Sequence, residues 1–487
     1  MSPLTILLVV EASAIGLILL GAPARRVSLV AAGVNFLLSL WIYAQFPSGI
    51  GGWHFVENHS WIALGALPEI RYHVGVDGIS LPLVLLTTLV TLAAIWVSPT
   101  QIKRAGEFYS YLLLLSLGAL GAFVSLDLFF FYAFHEFALI PTFLLIGIWG
   151  TENRQFVSLQ LTLYLGLGSL VLLAGIIALL GVLPAEARTF DIPRLTEYLR
   201  DNPISPRQQL VPFALLAAGF GTLVSLFPFH SWAPFGYASA PAPAAMLHAG
   251  VLKKFGLYGL LRIAIPLLPG GAEAWKPWIL ALLLGNVLFV GLTTIAQKEL
   301  PAMLGFSSVM HMGYLFLGLM CWNALGVSGV VLLMVAHGLS AALLFAVAGE
   351  VRERAGEISF AELGGLARRM PFVAVAFLVG SFASVGVPGL ANFPGELLIF
   401  FGAWKSQPLI TAVVIWGIVI SAVYQLRAVR SVFYGDLPQH LAETVDVEGS
   451  KRIPYALLMA ALLILGIWPG TLLGVVGPGV KEFLSLY

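Results

Sequence analysis

The chain has 487 residues, 59% of them hydrophobic and 10% charged, with a mean hydropathy of +0.95. Soluble domains carry about 25% charged residues, so a water-facing surface is excluded, and the net charge of +1 gives no basic field of the kind that nucleic acid requires. One cysteine, Cys321, excludes an internal disulfide and any Cys-ligated zinc or iron–sulfur centre within this chain.

Apolar runs of roughly 20 residues, the length that crosses a bilayer, recur from end to end. They predict about 14 spans: 4–21, 27–45, 78–98, 107–126, 128–149, 156–182, 210–229, 242–267, 276–296, 302–321, 325–350, 371–401, 408–434 and 453–475. The runs are long and continuous rather than short and alternating, which fits helices and not a barrel. The expected fold is an all-α integral membrane protein, with no strands. Residues 1–21 lack a basic leading region, and Arg25 and Arg26 follow the apolar run instead. A secretory signal has the opposite order, so span 1 is expected to be retained. With both termini outside, the cytoplasmic connections hold 14 Lys and Arg against 8 on the other side. That bias follows the positive-inside rule and places both termini on the periplasmic side of a bacterial inner membrane.

Two spans are interrupted. Span 7 runs into FPFHSWAPFGYASAPAP, with Pro228, Pro234, Pro241 and Pro243, and span 12 contains SVGVPGLANFPGE, with Gly386, Pro388, Gly389, Pro394 and Gly395. Proline removes a backbone donor and clashes with the preceding turn. Broken backbone at membrane depth is tolerated only inside protein or beside a hydrated cavity. Breaks five spans apart point to inverted repeats, spans 4–8 and 9–13; the plainer alternative is that proline kinks ordinary helices. The chain then divides into 1–106 (spans 1–3), 107–267 (first repeat), 268–434 (second repeat) and 435–487 (a loop and span 14).

Ionisable residues lie inside these spans. Glu136 sits near the middle of span 5, where a charge costs about 2.5–3.5 kcal/mol on insertion scales; the alternative is a neutral acid hydrogen-bonded between helices. Lys253 and Lys254 are adjacent in span 8, about 100° apart on a helix, so at most one faces a given axis. The other is then expected to snorkel to an interface. His248 precedes them as a core or cavity residue. His311 in span 10 shares a helical face with Ser307 and Ser308, whose hydroxyls suit a hydrogen-bonded or hydrated relay. His337 in span 11 is similar, and Glu396 follows the break in span 12. For each histidine alone, a structural role competes with proton transfer. Together, groups that gain and lose protons at membrane depth suit a proton relay. No pair has the spacing of a metal motif, and no nucleophile or nucleotide fingerprint is present.

These residues lie in collinear stretches: VGVDGISLPLVLLTT at 74–88, SLDLFFFYAFHEFALIPTFLLIGIWG at 125–150, LHAGVLKKFGLYGLLR at 247–262, GFSSVMHMGY at 305–314, AHGLSAALLF at 336–345 and GLANFPGELLIF at 389–400. In them the chain resembles the M-type antiporter-like membrane subunit of proton-pumping NADH:quinone oxidoreductase, respiratory complex I. The resemblance implies 14 helices, two inverted five-helix repeats, and proton translocation driven by quinone reduction elsewhere. It implies relay roles for Glu136, Lys254, His311, His337 and Glu396. It also implies that NADH, FMN, iron–sulfur clusters and quinone belong to partner subunits, and that this chain binds none of them. The expected partners are other membrane-arm subunits, lipid and protons. Sodium–proton antiporter and membrane-bound hydrogenase subunits share the motifs, so a subunit of a multi-subunit cation–proton antiporter is one alternative. A second is a structural subunit with lost or reduced pumping. It is raised by Leu223, where the family has a lysine that partners the helix 5 glutamate, and by Pro301, where relatives commonly have a basic residue. Without that lysine, burial is expected to make Glu136 harder to ionise.

Overall fold

The computed structural model describes residues 1–486 except 48, 64, 66, 67 and 152. The chain folds as a bundle of helices: α1 (Pro3–Leu19), α2 (Ala24–Gln45), α3 (Leu81–Val97), α4 (Ala105–Val124), α5 (Leu128–Trp149) and α6 (Arg154–Gly181). After a short α7 (Ile192–Asp201) come α8 (Pro206–Val224), α9 (Trp232–Ser239) and a continuous helix α10 over 242–267. The second half holds α11 (Pro269–Ile295), α12 (Leu300–Leu319), α13 (Ala324–Ala355), α14 (Pro371–Val385), α15 (Asn392–Ser406), α16 (Pro408–Phe433), α17 (Ile453–Ile467) and α18 (Gly470–Leu484). Among the described residues, 9 helices are long and apolar enough to cross a membrane.

Local sequence sets the helix ends. Asp127 caps α5 by accepting hydrogen bonds from the Phe129 and Phe130 N–H groups at 2.9 and 3.1 Å, which satisfies donors that have no partner within the helix. Ser205 and Gln208 form a reciprocal capping box at the start of α8. Asn323 caps α13, whose 32 residues end at Gly356 with φ +68°, a left-handed exit that suits glycine. The most apolar stretch of α13 is wholly enclosed by other helices, whereas two-thirds of that of α2 is not. Helix α13 is therefore the central strut, and α2 is a peripheral helix.

Both predicted interruptions are real breaks, and they are alike. Helix α8 stops at Ser225 (φ +67°), the Phe227–Pro228 peptide is cis, and α9 resumes at Trp232. Helix α14 stops at Gly386 (φ +81°), passes Gly389 (φ +93°), and α15 resumes at Asn392. The first break is sutured by Asn286 of α11. Its Nδ2 donates to the Ser225 and Val309 carbonyls, both at 3.0 Å, and its Oδ1 accepts from the Phe227 N–H at 2.8 Å. A single amide side chain thus replaces bonds that the broken helix cannot make.

Two expectations are corrected. Strands are present: β1 (His54–Ile62) and β2 (Ile70–Val76) pair as an antiparallel hairpin, with Asn58 opposite His73. The outer strand is largely exposed and mixes polar with apolar residues, so it offers no clean alternation to read. The hairpin is tied to the bundle: the Glu57 carboxylate accepts from the Ser2 N–H at 2.7 Å and the Thr5 hydroxyl at 2.6 Å, and the His73 carbonyl accepts from the Leu126 N–H at 2.9 Å. Span 14 is not continuous to 475; it ends at Ile467, and Pro469 starts the separate α18. The connection between α6 and α8 contains the amphipathic α7, which buries Ile192, Leu195 and Leu199.

Candidate functional site: a buried polar row

Helix α10 carries the centre of the row. It is not uniformly α-helical: the turns His248–Leu252 and Leu260–Ala264 widen to π geometry. A π turn inserts a residue and re-aims the side chains that follow, and such turns recur at functional sites. The first ends just before Lys253 and Lys254, and both lysines are fully buried. The expected snorkelling of one of them is therefore corrected. Lys253 Nζ donates to Ser308 Oγ at 3.3 Å and lies 5.4 Å from the centre of the Tyr237 ring. Lys254 Nζ donates to the Ala249 carbonyl at 2.6 Å and meets His337 Nδ1 at 3.0 Å. An amine and an imidazole nitrogen in contact can share one proton, because each is a base that the other can protonate.

His337 passes the row to His311, their ring centres 5.6 Å apart. His311 Nδ1 faces the Ser307 carbonyl and Nε2 the Ser384 carbonyl, both at 2.8 Å. Carbonyls only accept, so both contacts are hydrogen bonds only in the imidazolium; a neutral ring satisfies one. No direct hydrogen bond joins His311 to the Ser307 or Ser308 hydroxyl. Ser307 Oγ instead pairs with Tyr424 OH at 2.9 Å, and Ser308 serves Lys253. A cavity of about 10 Å³ lies between them, lined in part by Ser307, Ser308, His337, Ser340 and Ser384.

The two carboxylates flank this centre. Glu396 is buried, its Oε1 has no hydrogen-bond partner, and its carboxyl turns back onto Gly386 at the break. Glu136 accepts from Ser169 Oγ, whose oxygen in turn lies 3.0 Å from Tyr132 OH and can accept from it. Its side chain is 31% exposed, a costly state for a carboxylate facing lipid, so this face of α5 calls for a covering protein surface. Glu136 is not isolated as expected, since His135 Nδ1 lies 3.4 Å away. Leu223 lines a cavity beside His135 and His248, and Pro301 lies in the first turn of α12.

The structure thus joins Lys253, Lys254, His311, His337, Ser307 and Ser308 in one cluster, with His248 beside it against Tyr237 (Nδ1–OH 3.3 Å). Glu136 and Glu396 stand at either side. Residue-by-residue reading missed Asn286, Tyr424 and His135. It also missed Glu11, fully buried in α1, which accepts from Ser116 Oγ at 2.8 Å and Asn35 Nδ2 at 3.3 Å. A lone carboxylate in an apolar run was a usable signal for Glu11. Among the described residues, no group of three His, Cys, Asp or Glu could hold a metal ion.

Comparison with known proteins places this geometry. Residues 125–421 match the transmembrane family described as NADH:quinone oxidoreductase/Mrp antiporter. The NADH-quinone oxidoreductase subunit M of Rhodobacter capsulatus is 33% identical over 473 residues, covering 95% of this chain and 91% of that protein. The chain belongs to the M-type antiporter-like subunits of this family. Its members include the F(420)H(2) dehydrogenase subunit M of Methanosarcina mazei, 33% identical over 94% of each chain. Among solved structures, a chain of respiratory complex I from Thermus thermophilus with bound NADH superposes with TM-score 0.90, at 28% identity and 99% coverage of both chains. A chain of the Mrp complex from Dietzia shares the fold, with TM-score 0.81 at 20% identity, covering 99% of this chain and 96% of that one. An M-type antiporter-like subunit is an integral membrane protein, in keeping with the apolar helices described above.

Proposed function

We propose that this chain translocates protons as the M-type membrane-arm subunit of a complex I-type NADH:quinone oxidoreductase. The observation that carries the reading is the fully buried Lys254–His337 contact at 3.0 Å, set in a row of proton-exchanging groups. Glu136, Lys254, His337, His311 and Glu396 carry the proton; Lys253, His248, Ser307 and Ser308 support the path. The oxidoreductase chemistry, with NADH, FMN, iron–sulfur clusters and quinone, resides on partner subunits. The half-exposed Glu136 supports a protein neighbour on α5, because lipid offers it no hydrogen bond. The basic bias of the connections supports both termini on the periplasmic side of the inner membrane, and the chain divides at 106, 267 and 434.

Coupling works by charge. A proton arriving at one site changes the field at its neighbours, and in a low-dielectric interior that field acts over longer range than in water. The test is proton pumping by the assembled complex in proteoliposomes, with Glu136→Gln and Glu396→Gln beside the unmutated chain and quinone reduction measured in parallel. Both variants are expected to assemble and to lose this subunit's pumping. Normal pumping by both would leave the chain a structural spacer of the membrane arm.

A further inference from the structure

A gap separates Glu136 from the lysine–histidine cluster, and one residue spans it. His135 is buried, and its ring stacks on Phe255 of α10 with centres 4.5 Å apart at 26°. The stack fixes the ring edge-on between two directions. Towards α6, Nδ1 lies 3.4 Å from Glu136 Oε1 and makes no hydrogen bond. Towards α10, the ring borders a cavity of about 20 Å³ that is also lined by His248, Leu223, Leu252 and Leu165. A water needs roughly 10–15 Å³ of such space and at least two polar partners. This cavity has room for one, and the two imidazoles supply the partners. Its remaining walls are apolar, so no other side chain there can take a proton.

We propose that His135 is the proton carrier that links Glu136 to His248 across this one-water cavity. This rests on the relay reading above. The neutral ring starts with its proton on Nε2 and its Nδ1 lone pair towards the Glu136 carboxylic acid. The acid gives its proton to Nδ1, leaving a carboxylate beside an imidazolium. Nε2 then releases its proton to the cavity water, which passes one of its own to a ring nitrogen of His248. His135 is left neutral with its proton on Nδ1, and reorientation of the ring between turnovers returns a protonated nitrogen to the cavity side and a lone pair to Glu136. Histidine suits this task because its two nitrogens let a proton enter on one side and leave on the other.

Pumping stoichiometry and assembly of the complete complex test the link, with four variants of this chain. His135→Gln keeps polarity, and His135→Phe keeps the stack on Phe255; neither carries a proton. Both are expected to assemble and to lose the same share of protons per electron pair as Glu136→Gln. Adding Leu223→His to His135→Gln places a second imidazole on the same cavity wall and is expected to restore most of that share. Stoichiometry unchanged in His135→Phe or His135→Gln, while Glu136→Gln loses it, would overturn the role of His135 and leave the relay standing. Unchanged stoichiometry in Glu136→Gln would overturn the relay itself. If only one of the two His135 variants assembles, its stoichiometry decides.

Discussion

Lys254 Nζ and His337 Nδ1 are held 3.0 Å apart, and the same ammonium donates to the Ala249 carbonyl at 2.6 Å. The carbonyl anchors the amine without taking its proton, so the imidazole is the contact that can. Replacing Lys254 by Arg keeps a cation but removes the exchange, because a guanidinium stays protonated in proteins. Lys254→Arg and Lys254→Met are therefore expected to fail alike, each losing this subunit's proton transfer by about 100-fold or more, the scale of a positioned acid–base group. Proton uptake per quinone reduced, measured in proteoliposomes, checks this. Full pumping by the arginine variant would show that charge alone suffices at this position.

Asn286 holds the first break closed through three hydrogen bonds at 2.8–3.0 Å. Asn286→Leu, branched at the same carbon but without polar atoms, leaves the Phe227 N–H without its acceptor. An unsatisfied buried group costs about 1–3 kcal/mol, so thermal unfolding of the purified complex is expected to shift down by that amount. Unchanged stability would mean that the break is held by its packing alone.

The spans were legible because apolar length is a one-dimensional signal, and α5 and 242–267 match their predicted limits. The breaks were legible because proline and glycine mark them. The widened turn at His248–Leu252 was not, since HAGVLKK contains no proline and its single glycine, Gly250, does not specify a π turn. Lys253 did not go to an interface because nearly every residue of 242–267 is buried, so both directions from the helix lead into protein. His135 was passed over because a neighbour along the helix points about 100° away; only its stack on Phe255 brings the ring nitrogen back towards Glu136. Hairpin pairing was hidden in a polar connection, where nothing in the pattern demanded a strand.

Glu57 ties the hairpin to the start of α1. The Thr5 hydroxyl, then the Ser2 N–H, hold its carboxyl down at about 2, below the ordinary 4.5. A depressed carboxyl contributes stability above the unfolded value and loses it as pH falls through the folded one. Hydrogen exchange at Ser2–Thr5 is expected to be slow above about pH 4.5 and to quicken between there and the folded value. In Glu57→Gln that step should vanish. A step that persists in the glutamine variant would assign it to another acid.

Gly386 and Glu396 occupy the same corner of the second break. Gly386 sits at φ +81°, and a Cβ there would strike the Glu396 carboxyl. Gly386→Ala therefore carries two costs: about 1–2 kcal/mol for a left-handed alanine, and displacement of the acid. Glu396→Gln carries neither, because Oε1 has no partner to lose and the amide fills the same space. The glutamine variant is expected to stay within about 1 kcal/mol of the unmutated stability while losing proton transfer. The alanine variant should lose both. Since the added methyl strikes the side chain at 396, Gly386→Ala combined with the truncation Glu396→Ala is expected to deviate from additivity by about 0.5–3 kcal/mol. Strict additivity in unfolding measurements would mean that the two residues do not share this corner in the assembled complex.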